Sequence, residues 1–229
     1  MIELCTQIFN KNVWNIIIPA TLQTIYMTVT STILTFFLGL IFGIAMFITN
    51  KDGLHPCVIF NRIFGAAINA ILSLPSMIII ILVLPISKFI VGVSYGPKAC
   101  IVALVVVCTP IFSRLVENSI VEVSKGKIEA AKAMGASNIN IILKVLLPES
   151  LPALIRNFVV LTITLISTTA IAGSLGAGGL GEVAVRFGYN RFRTDILISV
   201  ILVLLVLVEC LQLLGTFISK RILKKRHLI

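Results

Sequence analysis

The chain predicts an all-α integral membrane protein with five transmembrane helices, and three observations predict it. Hydrophobic residues make up 58% of its 229 residues and charged residues 12%, against roughly 45–50% and about 25% in a soluble domain; mean hydropathy is +1.10. The apolar residues fall in runs of about 20, the length at which a helix crosses hydrocarbon with every backbone N–H and C=O satisfied inside the segment. Lys and Arg collect in the intervals between alternate pairs of runs, as the positive-inside rule requires of a multi-pass protein.

The runs cover roughly 24–48, 63–84, 99–116, 153–171 and 196–218. Residues 1–15 carry Glu3, Lys11 and Trp14, with neither a basic leader nor a small-residue cleavage site, so no cleavable signal peptide is expected. In the first run Thr24, Thr28, Thr32 and Thr35 repeat at about helical spacing ahead of Gly39-x-x-x-Gly43, a pattern of close helix packing more than of transport chemistry. The second run carries Asn69, Ser73 and Pro75-Ser76-Met77, and the fourth carries Thr162, Thr164, Ser167, Thr168 and Thr169. Polar groups cost free energy in lipid unless they face protein or water. Asn69, Ser73, Pro75, Ser76, Met77, Ser167 and Thr168 are therefore the candidate pathway lining, offering weak, replaceable contacts to a passing solute. Glu209, within the fifth run, is an intramembrane carboxylate for which a transport role and a structural one stand equally open.

A cytoplasmic C-terminal tail, with Lys220, Arg221, Lys224, Lys225 and Arg226, puts 13 of the 19 basic residues on one side and Lys11, Lys88, Lys98, Arg186, Arg191 and Arg193 on the other. Five spans then place the N-terminus outside. Topology accounts for the net charge of +10, which is not read as a nucleic-acid footprint; the tail also suits anionic lipid.

The longest polar interval, about 117–149, is not filler. Glu129-Ala-Ala-Lys-Ala-Met is a strong helix former, Gly135 supplies a left-handed stop, and Ser137 or Asn138 caps a second helix that Pro148 follows. Ile139, Ile142 and Leu146 fall on one face of that helix and Lys144 on another. Small Ala130 and Ala131 beside a glycine turn let another protein approach the backbone; a well-capped surface helix pair would share this spacing. Arg114 and Glu117, three apart, form a structural ion pair bracing the interval.

The segment Glu129-Ala-Ala-x-x-x-Gly135 resembles the loop of bacterial ABC importer permeases that forms the coupling helix on the ATPase. The resemblance extends through Pro110-Ile-Phe-Ser-Arg114-Leu-Val-Glu117, Glu122-Val-Ser-Lys-Gly126-Lys-Ile-Glu129, Lys144-Val-Leu-Leu-Pro148-Glu149, Gly176-Ala-Gly-Gly-Leu-Gly181-Glu182 and Arg186-Phe-Gly-Tyr-Asn-Arg-Phe. As a set these are similar to the methionine branch of the family; the first hundred residues resemble it mainly in layout. The resemblance implies a type I ABC importer permease fold, one transmembrane domain over 1–229, in a bacterial inner membrane. It implies a homodimer with two ATPase subunits inside and a substrate-binding protein outside, and ATPase coupling through Glu129, Ala130, Ala131, Met134, Gly135, Ala136 and Ser137. No Gly-x-x-x-x-Gly-Lys-Ser/Thr loop is present, so ATP and Mg are expected on the partner and no cofactor on this chain.

Gly176, Gly178, Gly179 and Gly181 lie in an interval of about 173–194 that follows the fourth run on the outer side. No strand precedes them, as a dinucleotide fingerprint needs. Irregular backbone near the outer mouth, with a part in gating or binding-protein contact, is expected, with a plain flexible loop as the alternative. Cys5, Cys57, Cys100, Cys108 and Cys210 show no Cys-x-x-Cys spacing, and His55 and His227 are isolated, so neither a metal site nor catalysis is expected. The expected function is a permease of ATP-driven methionine import, D or L; the alternatives are another solute such as an osmoprotectant in the same family, or a secondary transporter or membrane enzyme.

Overall fold

A computed structural model describes residues 11–225. Glu3, Cys5, Arg226 and His227 lie outside the described residues. Within them the chain is helical with no strand: α1 Lys11–Thr49, α2 Val58–Ser73, α3 Ser76–Val91, α4 Pro97–Val121, α5 Lys125–Ala133, α6 Asn138–Ile141, α7 Leu147–Ala172, α8 Gly179–Val183 and α9 Thr194–Lys225. Wider π-helical turns occupy Ile142–Leu146, Gly173–Ala177 and Ala184–Tyr189. Four helices are long and apolar enough to cross a membrane, or five when α2 and α3 count as one bent span.

The chain divides into two compact units, one of Met1–Leu34, Leu74–Cys108 and Thr162–Leu213, the other of Thr35–Ser73, Thr109–Leu161 and Leu214–Ile229. Helices α1, α4, α7 and α9 each contribute a part to both. In the first unit Val13, Ile17 and Ala20, at i, i+4 and i+7 on α1, form a buried cluster with Leu180, Val183, Ile196 and Val200. That stripe accounts for the helical packing of residues 11–23, which lie ahead of the apolar run that the sequence marks from about Thr24. The 39 residues of α1 span on the order of 58 Å at ~1.5 Å per residue, about twice the hydrocarbon thickness, and packing stabilises the extra turns despite Pro19.

In the second unit α1 packs on α4 through its small residues. A Cβ on Gly39 would lie 2.7 Å from Phe112 Cδ1, and one on Gly43 would lie 2.6 Å from the Ser113 carbonyl oxygen. Phe36 adds ring contacts to Phe112 and Phe158 at centroid distances of 5.6 and 5.4 Å. Asn157 Nδ2 donates to Leu115 O at 3.1 Å and to Ser119 Oγ at 2.8 Å, tying α7 to α4.

Three expectations change. The run 63–84 is not one straight helix: it parts at Leu74–Pro75, where Pro75 takes φ −56°, ψ 131°. Proline disfavours the α region for the residue before it and has no N–H to continue the ladder, so both sides restart. The second helix of the polar interval does not end before Pro148 either. It runs through the π turn into α7, with Leu147 N–H bonded to Ile142 O, and the wider turn moves aside the carbonyl that the proline ring would strike. The interval 173–194 is mostly helical; left-handed or otherwise non-helical backbone is concentrated at Gly176–Gly179, with a second break at 190–193.

Candidate functional site

The segment from Ser124 to Glu149 is built by its caps. Helix α5 ends in a double hydrogen-bonded turn: Ala136 N–H donates to Ala131 O at 3.1 Å and Gly135 N–H to Lys132 O at 2.9 Å. The first bond closes across residue 135 and needs a left-handed residue there, and Gly135 sits at φ +78°. Ser137 then caps α6, its side chain accepting from Asn140 N–H. Lys127 Nζ lies 2.6 Å from Glu149 Oε2, pinning α5 to the first turn of α7.

This segment has an inner and an outer face. Val123, Ala131, Ile141 and Leu146 are buried, while Met134, Ile139 and Leu143 are 82%, 68% and 57% exposed. Glu129, Ala130, Gly135 and Ser137 are exposed and Ala136 is half-buried. The expected face of Ile139, Ile142 and Leu146 is thus replaced: Ile141 and Leu146, five apart, share the buried side. A π turn closes its hydrogen bond over five residues where an α turn closes it over four, so it is wider, which is why α-helical spacing misassigned the face. The result is an exposed patch of apolar side chains around a close-approach glycine turn, on a rigidly capped base.

Within the same unit Arg114 Nη1 donates to Glu117 Oε2 at 2.7 Å, and its Nη2 donates to Asn69 Oδ1 at 2.8 Å. The Glu117 side chain is 9% exposed. The arginine therefore neutralises a largely buried carboxylate and fixes the amide of a candidate pathway residue; the bond to Asn69 was not apparent from the sequence. Ser73 Oγ, also on α2, donates to Asn69 O at 2.8 Å.

In the first unit Pro75, Ser76 and Met77 start α3, and Ser167 and Thr168 lie on α7. Met77 and Ser167 are exposed and Ser76 is half-buried. Thr168 is buried and donates to Thr164 O at 2.7 Å, whereas Ser167 donates to Ile163 O at 3.2 Å. Glu209 lies on an exposed face of α9. The Gly-rich stretch is packed backbone to backbone: a Cβ on Gly173 would lie 2.6 Å from Glu182 N, and one on Gly181 would meet the Ala170 backbone. Gly178 and Gly179 adopt φ +90° and +76°. Their neighbours are Gln23 and Thr24, 156 residues earlier: Gly179 N–H donates to Gln23 Oε1 at 3.0 Å and Leu180 N–H to Thr24 Oγ1 at 2.9 Å. Sequence spacing placed Thr24 in a packing stripe and gave no signal for this role. Among the described residues no group of three or more His, Cys, Asp or Glu side chains is placed to hold a metal ion.

Long apolar helices, small-residue packing and a capped polar segment between two of them define a multi-pass helical membrane protein. Residues 39–224 match the family model of binding-protein-dependent transport system inner membrane components, and the chain belongs to that family. It is 38% identical over 208 residues to the probable D-methionine transport system permease protein MetI of Vibrio cholerae, covering 91% of this chain and 92% of that one. It is 43% identical over 180 residues to the methionine import system permease protein MetP of Bacillus subtilis, covering 79% and 81%. A solved chain from inward-facing conformations of the MetNI methionine ABC transporter superposes with a TM-score of 0.90 at 33% identity, covering 93% of this chain and 99% of that one.

Proposed function

We propose that this chain is the membrane-spanning permease subunit of an ATP-driven importer for methionine, in its D form, its L form or both. The observation that carries the reading is the likeness to methionine permeases over nine-tenths of the chain, together with a segment built for docking at the family's coupling position. The chain forms one transmembrane permease domain of five spans, α2 and α3 together making the second, with the N-terminus outside and the tail in the cytoplasm. Two copies pair, two ATPase subunits bind beneath them, and a binding protein delivers solute from outside.

In this account the exposed turn Glu129–Ser137, with Met134 at its tip, seats on the ATPase. Closure of the ATPase pair around ATP and Mg draws the two seated turns together. The Lys127–Glu149 contact and the unbroken run from α6 into α7 carry that displacement to the spans. Solute then enters from the binding protein and passes hydroxyls and carbonyls of the Asn69–Met77 and Ser167–Thr168 stretches. Such contacts release what they hold, which leaves selection to the binding protein. Gly176, Gly178, Gly179 and Gly181 shape the outer mouth.

Cysteine placed at Met134, in a background with the native cysteines replaced, tests the seat. It is expected to cross-link to the co-expressed ATPase, with a yield that changes on adding nucleotide. An assembled complex with no cross-link from 134 or its neighbours removes the coupling assignment.

A further inference from the structure

We propose that Gln23 and Thr24 of α1 are positioning residues of the transport path, a two-point clasp that holds the Gly178–Gly179 bend in the geometry that coupled transport requires. The inference rests on the reading that this bend borders the path.

The first N–H groups of a helix have no partner inside it. At the start of α8 two of them, from Gly179 and Leu180, are taken up by the Gln23 amide oxygen at 3.0 Å and the Thr24 hydroxyl at 2.9 Å. Leu180 is fully buried and Thr24 is 2% exposed, so water is not available to replace the second bond. The Thr24 hydroxyl also donates to Ala20 O at 3.1 Å. Its proton is thereby committed to its own helix and a lone pair is aimed at Leu180. The hydroxyl is oriented, not merely near.

The glycines and the clasp specify each other. A Cβ on Gly178 would lie 2.8 Å from Gln23 Oε1, and one on Gly179 would lie 2.6 Å from Thr24 Oγ1 and 2.9 Å from Met27 Cε. Both residues have positive φ, which glycine adopts as readily as negative φ, so local sterics alone do not fix the bend. Here two side chains from one turn of α1 supply the hold. Gln23 is exposed and Thr24 buried, so the clasp has one point at the surface of the chain and one inside it.

The test uses the assembled complex in lipid discs and proteoliposomes, comparing Thr24→Val, which keeps shape and removes the hydroxyl, with Thr24→Ser, which keeps the hydroxyl. Loss of the hydroxyl that a buried donor bonds to predicts about tenfold slower solute uptake for Thr24→Val. More ATP should be hydrolysed per solute moved, with unchanged subunit composition, and Thr24→Ser should restore uptake to within about twofold. Amide exchange over residues 179–183 should be at least about tenfold faster in Thr24→Val only. Uptake and exchange of Thr24→Val close to the unsubstituted complex, or equal defects in the Val and Ser variants, overturns the clasp. If the unsubstituted complex moves no solute, the transport reading fails on its own. The exchange comparison then still decides whether Thr24 holds the bend.

Discussion

Arg114 and Glu117 form a 2.7 Å ion pair on α4 whose carboxylate is nearly out of solvent, and the same guanidinium reaches Asn69 on α2 at 2.8 Å. One cation thus serves a buried charge and a pathway candidate. Removing one partner of a buried pair costs about 3–5 kcal/mol, because the other is left uncompensated, whereas replacing both by apolar residues is often near neutral. Arg114→Met alone is expected to lower the midpoint of thermal unfolding in detergent strongly, and Arg114→Met with Glu117→Leu to recover most of the loss. Equal losses in the single and double variants would contradict this account of the pair.

At Gly135 a Cβ would meet nothing within 4 Å, yet φ is +78°. The requirement is therefore conformational and not steric. Asn tolerates the left-handed region and β-branched residues do not. Gly135→Asn should keep most uptake and ATPase assembly, and Gly135→Val should lose uptake or assembly. Co-purification of the ATPase with each variant checks this, and equal behaviour of the two counts against the turn as a determinant of coupling.

Lys127 and Glu149 are 54% and 44% exposed, so their pairing contributes only about 0–1 kcal/mol. Lys127→Ala should leave thermal stability almost unchanged while loosening α5 from α7. The expected readout is a larger number of ATP molecules hydrolysed per solute imported. A large stability loss would show that the pair has a different role from the brace described.

At the Gly178–Gly179 bend, Gly178→Val with Gly179→Val should abolish uptake with assembly intact, since each side chain enters space held by Gln23 or Thr24. Normal uptake by the double variant would remove this stretch from the transport path.

How much of this was legible in the sequence depends on how local the cause is. The turn at Gly135 and the cap at Ser137 are set within a few residues and read directly from Glu129–Ser137. The run lengths gave the helices, but α1 also takes in residues 11–23, where Val13, Ile17 and Ala20 pack on Leu180 and Ile196, contacts that hydropathy does not contain. Pro75 was visible as a disturbance within a span. That it separates two helices follows from its extended ψ of 131°, which run length does not reveal. The π turn at Ile142–Leu146 exchanged the buried face from Ile139 to Ile141 with no composition signal. Thr24 matched a packing stripe and is indeed buried, but its second task depends on a partner 156 residues away.

The central claim is ATP-driven methionine import through this subunit. Labelled methionine uptake in cells without methionine importers of their own, supplied with this chain, its ATPase and its binding protein, tests it most directly. The account predicts energy-dependent uptake, competed by unlabelled methionine and lost when Gly135 is replaced by Val. A complex that assembles, hydrolyses ATP and takes up no methionine in either stereochemical form would contradict it.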